Sequence, residues 1–248
     1  MKIAVCLKHV PSTETRVQIG TDGKHIDPSG VSYVINPYDE FALEEALQRK
    51  EKEGGEVAVF SVGGAGVVPS LRNALALGAD RAVHIKTDAE PDAPGVASLL
   101  ADALRGQGFD LILCGKQSVD DDAGVVGPML AEFLGLPCVT VAVEITIADG
   151  RAAVKREIEG GYETAGFALP GVIATQKGLN EPRYASLKGI MAAKKKPIEE
   201  VTAVAPPAKL EILKLELPAA REPGRIVGEG SAAVDELIRV LREEAKVI

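Results

Sequence analysis

From Met1 to Gly135 the chain alternates short apolar runs with longer segments that carry apolar residues at helical spacing. The runs are Lys2–Leu7, Val31–Ile35, Glu56–Ser61, Arg81–Lys86 and Phe109–Cys114. Helical spacing fills Pro37–Glu53, Pro69–Leu77, Ala93–Gln107 and the stretch ending at Leu134. Parallel strands need a crossover between them, and a helix is the usual one. The alternation therefore predicts an α/β fold, a parallel sheet with helices on both faces. Ligands of such sheets lie beyond the carboxyl ends of the strands. That singles out the loops after Leu7, Ser61 and Cys114.

The third of these loops organises the rest. Gly115-Lys116-Gln117-Ser118-Val119-Asp120-Asp121-Asp122-Ala123-Gly124-Val125-Val126-Gly127 joins a buried strand to a helix with Val125, Met129, Phe133 and Leu134 at helical spacing, closed by Gly135. A helix start with small residues offers unpaired backbone N–H groups, which suit a phosphate. Three adjacent carboxylates raise the question of a metal, but no spaced acids complete a shell. Asp122 is read instead as the N-cap of the helix, with its neighbours solvated or facing a ribose. The loop Ser61-Val62-Gly63-Gly64-Ala65-Gly66 is either a tight turn or a nucleotide contact. It resembles the Ser-Gly-Gly-x-Asp-Ser loop of adenylating enzymes but lacks the Asp-Ser, which argues against ATP cleavage. At Asn36-Pro37-Tyr38-Asp39 the residue types fit an N-cap, a first helical position and an acidic first turn, with Phe41, Leu43, Ala46 and Leu47 inward.

After Gly135 the texture changes. Cys138–Ile147 and Ala153–Glu159 flank the turn signal Asp149-Gly150, and Tyr162–Leu169 and Val172–Thr175 follow, so an antiparallel extension of the sheet is expected. A second hairpin is expected earlier, Arg16–Ile19 against Lys24–Ile26, turning at Asp22-Gly23. Leu179–Pro197 is irregular, then briefly helical, then basic at Lys194, Lys195 and Lys196. Lysine runs are usually solvated, but this is the main basic cluster of an acidic chain, beside Leu187, Ile190 and Met191, and it suits docking of an acidic partner. Ala203–Lys209 has linker composition, Leu210–Leu217 alternates like a strand, and Glu222–Gly230 is a Pro/Gly loop. Ser231–Lys246 reads as an amphipathic helix with Ser231 as N-cap and Val234, Leu237, Ile238 and Leu241 on one face, a stripe that needs a surface to pack on.

Several classes are excluded. A net charge of −8 over 248 residues argues against general nucleic-acid binding. No Gly-x-Gly-x-x-Gly follows the first strand, where the chain reads Lys8-His9-Val10-Pro11, so a nicotinamide dehydrogenase is a poor fit. His9, His25 and His84 are scattered without a nucleophile and acid to complete a triad, and no catalytic residue is expected. Cys6, Cys114 and Cys138 lack ligand spacing and form no even framework, which points to a reducing compartment. With Met1-Lys2-Ile3-Ala4-Val5 entering a strand directly and no run long enough to span a bilayer, a cytoplasmic location without membrane insertion is expected.

The segment Arg156–Pro197 is more specific. Arg-Glu-Ile-Glu-Gly-Gly at Arg156–Gly161, Leu169-Pro170, and Leu-Asn-Glu-Pro-Arg-Tyr at Leu179–Tyr184 resemble the β subunits of electron transfer flavoproteins. So do Asn36-Pro37, Leu77-Gly78-Ala79-Asp80-Arg81 and Gly115-Lys116-Gln117 before the Asp run, and the resemblance covers nearly the whole chain. It implies a Rossmann-like body over residues 1–197, of the adenine-nucleotide α-hydrolase-like kind, including a docking loop over 179–197, and a linker and arm over 198–248 that pack on an α subunit. It further implies a heterodimer whose α subunit carries FAD while this chain buries AMP. Electrons would come from flavin dehydrogenases, such as acyl-CoA dehydrogenases, and leave to a membrane quinone oxidoreductase. The AMP contacts would fall on Cys6, Asn36, Pro37, Tyr38, Asp39, Val62 and Gly115 through Val126, and partner docking on Tyr184 through Lys196 with Leu187 as anchor.

Two departures bear on this. Many respiratory members carry a Tyr near the flavin where this chain has Pro11-Ser12-Thr13. A bifurcating branch holds a second FAD in place of AMP, with Asp-Gly-Asp-Thr-Ala in its loop; Asp121 stands here in place of that Gly, which favours AMP. The rival reading from another class is a stand-alone adenine-nucleotide module of the universal-stress type, which leaves the chain after Gly150 without a purpose.

Overall fold

The first strand, β1 (Lys2–Cys6), shows how the body is built. Alternate side chains of a strand point to opposite faces. Ile3 and Val5 enter one apolar layer, and Ala4 and Cys6 the other. The computed structural model describes residues 1–220 and 223–248, and Glu222, the first residue of the Pro/Gly loop, lies outside them. After β1 come β2 (His9–Pro11), β3 (Tyr33–Ile35), α1 (Pro37–Glu53), β4 (Glu56–Gly63), α2 (Val68–Leu77), β5 (Arg81–Lys86), α3 (Ala93–Leu104), β6 (Leu111–Gly115) and α4 (Val126–Leu134). The layer containing Ile3 and Val5 is completed by Leu43 and Leu47 of α1 and Leu71 and Leu75 of α2. The other is completed by Leu99, Leu100 and Leu104 of α3 and Leu130 of α4. Burying each such side chain stabilises by about 1.5–3 kcal/mol relative to leaving it exposed.

The remaining elements are β7 (Cys138–Ala148), β8 (Arg151–Ile158), β9 (Gly161–Ala168), β10 (Gly171–Thr175), α5 (Leu187–Ala193), β11 (Glu199–Thr202) and α6 (Val234–Arg239). The nine-stranded sheet runs β11-β5-β4-β1-β6-β10-β7-β8-β9, and β2 pairs with β3 in a separate two-stranded ribbon. The pairs from β11 to β7 are parallel; β7–β8 and β8–β9 are antiparallel. With β1 between β4 and β6, and the helices that follow lying on opposite faces, the strand order reverses between β1 and β6.

Several expectations are corrected. Val172–Thr175 is not part of the antiparallel extension: β10 inserts between β6 and β7, parallel to both, and is buried at every position. Its apolar composition is that of a central parallel strand. The hairpin around Asp22-Gly23 reduces to a single bridge, Ile19 to Ile26. Helix α4 turns Gly127, Leu130 and Ala131 inward, leaving Val125 and Phe133 exposed. The close approach of Gly127 to Cys114 sets that rotation, since a Cβ there would sit 3.0 Å from Cys114 Sγ. Phe41 is only half-buried, and Ala42 takes the inward place beside Leu43.

The sheet also continues past Pro197, because β11 pairs with β5 at residues 199–202. Leu210–Leu217 joins no ladder among the described residues. It follows a tether at Asp92, whose Oδ2 accepts from the backbone N–H of Lys209 at 2.7 Å and Leu210 at 3.2 Å, and Leu215 N donates to Gly23 O. The terminal helix runs from Ser231 to Glu244 but is irregular: a 3-10 turn over Ser231–Ala233 leads into α6, a π-helical stretch over Val240–Glu244 follows it, and Ser231 caps nothing. Val234, Leu237 and Ile238 stay exposed. No helix among the described residues is long and apolar enough to cross a membrane.

Candidate functional site

The most enclosed candidate site lies over the carboxyl ends of β1 and β6, at the reversal of strand order. Its centre is Asp39, in the first turn of α1 and buried. Asp39 Oδ2 accepts from Lys8 N and Oδ1 from Gly115 N, both at 2.7 Å, so one carboxyl joins the ends of the two strands. Burial pushes this carboxyl up to about 7, while the two backbone N–H groups and Asn36 pull it back down. Gly115 is required there: a Cβ would lie 2.5 Å from Asp39 Oδ1 and 2.8 Å from the Tyr38 carbonyl carbon. Thr175, at the end of β10, donates through Oγ1 to Tyr38 O or Cys114 O.

Asn36 occupies the N-cap position of α1, but its side chain does not cap. Its Nδ2 donates to Gln117 O at 2.9 Å and its Oδ1 accepts from Val119 N at 3.2 Å. Asn36 thus holds the loop rather than the helix. Asp122 is likewise no N-cap, because α4 starts at Val126. It sits at φ 50°, in the left-handed region that Asp tolerates better than most residues, and Oδ1 accepts from Gln117 Nε2. Asp120 and Asp121 face Lys8. Lys8 Nζ donates to Asp120 Oδ1 and Asp121 Oδ2 at 2.9 Å and to Ser118 Oγ at 3.0 Å. Burial alone lowers the affinity of the Lys8 ammonium for its proton, but these two carboxylates win and raise it. Asp121 also accepts from Ser118 Oγ and Ala123 N. The loop's acids are therefore spent on its own shape.

The result is a cavity with two kinds of wall. Cys6, Leu7, Val62, Val96, Leu100 and Cys114 supply an apolar wall. Lys8, Ser118 and the start of α4 supply a polar rim. No side chain caps α4, so Val126 and Gly127 keep first-turn N–H groups available, and Pro128 has none. Burial raises the thiols of both Cys6 and Cys114, which keeps them protonated and unreactive. Among the described residues no cluster of three or more His, Cys, Asp or Glu is arranged to hold a metal ion.

Of the residues singled out in the sequence, Cys6, Asn36, Asp39, Val62, Gly115 through Ser118, Asp121 and Ala123 through Val126 line this cavity. Pro37, Tyr38, Val119, Asp120 and Asp122 do not line it; Tyr38 carries Lys116 Nζ over its ring at 5.3 Å. Sequence reasoning missed Leu7 and Lys8 after β1, and Pro91, Ala93, Val96 and Leu100 in and just before α3. Lys8 follows β1 at its carboxyl end, which was signal enough. Gly64 and Gly66 line a second, open depression with His9 and Tyr33, whose rings stack at 4.7 Å. The Ser61–Gly66 loop thus gives the main cavity only Val62.

The expected docking segment is a separate surface. Tyr184 is 98% exposed and Leu187 77%, with Ile190 and Met191 beside them. Lys194 and Lys195 are exposed. Lys196 is corrected: it is half-buried, and Nζ donates to Ala79 O at 2.6 Å, so it serves the fold.

The family described as "Electron transfer flavoprotein domain" matches residues 24–206. The chain is 42% identical over 260 aligned positions to the electron transfer flavoprotein subunit beta of Bacillus subtilis, covering all of both chains. It is 40% identical to that of Syntrophomonas wolfei, covering all of this chain and 98% of the relative. Against the human protein of the same description it is 36% identical, covering all of this chain and 99% of the relative.

Proposed function

Because the chain belongs to the electron transfer flavoprotein family, among its β subunits, we propose that it forms a heterodimer with an α subunit and buries AMP in the cavity between β1 and β6. The observation that carries the heterodimer is the uncovered apolar chain after Lys209. Leu210, Leu213, Leu217 and Ile226 are all exposed, and so is the stripe of α6. A chain that spends this many large apolar residues on solvent has a partner surface for them. The exposed crest around Leu187 is a second, smaller surface, suited to flavin dehydrogenases such as acyl-CoA dehydrogenases.

The cavity residues fit AMP. The apolar wall suits a flat base, and the α4 N-terminus with Lys8 suits a phosphate. Asn36, Asp39 and Asp121 keep the rim in shape by bonding within the protein. FAD, held by the α subunit, would supply the electron chemistry between a dehydrogenase and a quinone oxidoreductase. This chain supplies binding, a wall and a docking point.

Co-expression with its α subunit tests the reading. A stable yellow heterodimer is the expected product. A colourless homodimer that binds ATP would instead support the stand-alone nucleotide module.

A further inference from the structure

The docking crest is an irregular segment, yet it is fastened to the body at both ends. At its start, Asn180 Nδ2 donates to Phe41 O at 3.0 Å. Arg183 Nε and Nη2 donate to the two oxygens of Glu44 at 2.8 and 2.9 Å, and the guanidinium also pairs with Glu51. Glu44 is buried on α1, and Glu51 lies two turns further on. At its end, Arg72 of α2 donates through Nη1 to Ala193 O, at the last residue of α5, and to Lys196 O just beyond it. Lys196 reaches back to Ala79 O. In the middle, Gly189 lies against the last turn of α2, where a Cβ would meet Ala76 O at 2.3 Å. Between these points every large apolar side chain faces outward.

We infer that Arg183 and Arg72 are positioning residues for partner recognition: they hold residues 180–196 in one conformation so that Leu187 is presented preformed. The inference rests on the docking reading above. Asn180, Arg183 and Lys196 point into the body and are used up there, which leaves Tyr184, Leu187, Ile190 and Met191 as the apolar contact surface. The occupant is a flavin dehydrogenase with an acidic rim, because exposed Lys188, Lys194 and Lys195 surround the crest on a chain of net charge −8. A partner that meets a preformed crest does not have to order it, and the saving appears as affinity. Arginine is needed at position 183 because the guanidinium spans two carboxylates in a fixed fork, which an ammonium does not reproduce.

The test uses the heterodimer and steady-state electron transfer from a flavin dehydrogenase. Leu187→Ala establishes that the crest is the docking point; an unchanged KM for the dehydrogenase overturns the docking reading itself. With that in hand, Arg183→Ala raises KM about tenfold with kcat within about twofold, the drop expected if the competent conformation is occupied about a tenth of the time. Nucleotide content and flavin absorbance stay unchanged. Arg183→Lys does not rescue, whereas a role in long-range steering alone would be restored by the lysine charge. The double variant Arg183→Ala/Leu187→Ala is no worse than Leu187→Ala alone, since both changes act on one contact. If Arg183→Ala does not fold, Glu51→Gln removes only the exposed half of the clamp and gives the same KM effect at smaller amplitude. A raised KM after Leu187→Ala with no change after Arg183→Ala and Arg72→Ala would overturn the inference.

Discussion

Two loops leave adjacent strands at the same edge of the sheet and do opposite things. Residues 116–125 follow β6 and residues 176–186 follow β10, its parallel neighbour. In the first loop the polar side chains bond to one another and to Lys8, so the free backbone N–H groups at the start of α4 are what the loop offers. In the second, Asn180 and Arg183 reach back into α1, so Tyr184 stays outside and the loop leads into the exposed Leu187 at the start of α5. The difference shows how one scaffold edge makes a ligand site and a protein-docking site. What decides is where each loop's polar groups find their partners.

The comparison can be broken first at its shared base. Gly115→Ala places a methyl against Asp39 and Tyr38, and overpacking against a fixed backbone costs about 1–3 kcal/mol or more. Urea unfolding should show the lowest midpoint of these variants, with nucleotide lost.

Asp39→Asn follows, because an amide accepts one of the two backbone N–H groups and turns an NH2 toward the other. The cost is about 1–3 kcal/mol. Its pH dependence has a definite sign. The folded carboxyl titrates near 7, above its unfolded value of 3.8, so the folded state holds a proton that the unfolded state loses between them. Stability from this group is complete below the lower value and declines as pH rises through the upper. Unfolding midpoints at pH 5 and pH 8 should therefore show the cost of Asp39→Asn shrinking at the higher pH.

Lys8→Met acts on the inward loop alone. With the ammonium partly solvated, the loss is about 1 kcal/mol, or roughly fivefold in AMP retention on dialysis, and the dehydrogenase KM is untouched. The smallest effect separates neighbouring lysines. Lys196→Ala should lower stability by about 1 kcal/mol through the lost bond to Ala79, while Lys195→Ala should change only the salt dependence of electron transfer.

The alternation from β1 to α4 was legible because each strand and helix there declares itself locally, in period and in caps. The position of β10 was not, since insertion between β6 and β7 depends on pairing with residues about 30 to 60 positions away, and Val172–Thr175 carries no mark of it. The face that α4 buries is hidden for a similar reason: Val125 and Phe133 fit a helical stripe, but contact between Gly127 and Cys114 fixes the rotation. Asn36 and Asp122 were read as caps because their types fit that role locally. In the fold each finds a partner on the loop instead. Leu210–Leu217 has a strand's alternation without a strand's partner within this chain's described residues.

What the inward loop holds decides which kind of electron carrier this chain serves. Acid denaturation of the purified heterodimer, followed by chromatography of the released nucleotides, measures this directly. One FAD and one AMP per heterodimer is the predicted result; two FAD, or FAD with no AMP, would contradict it.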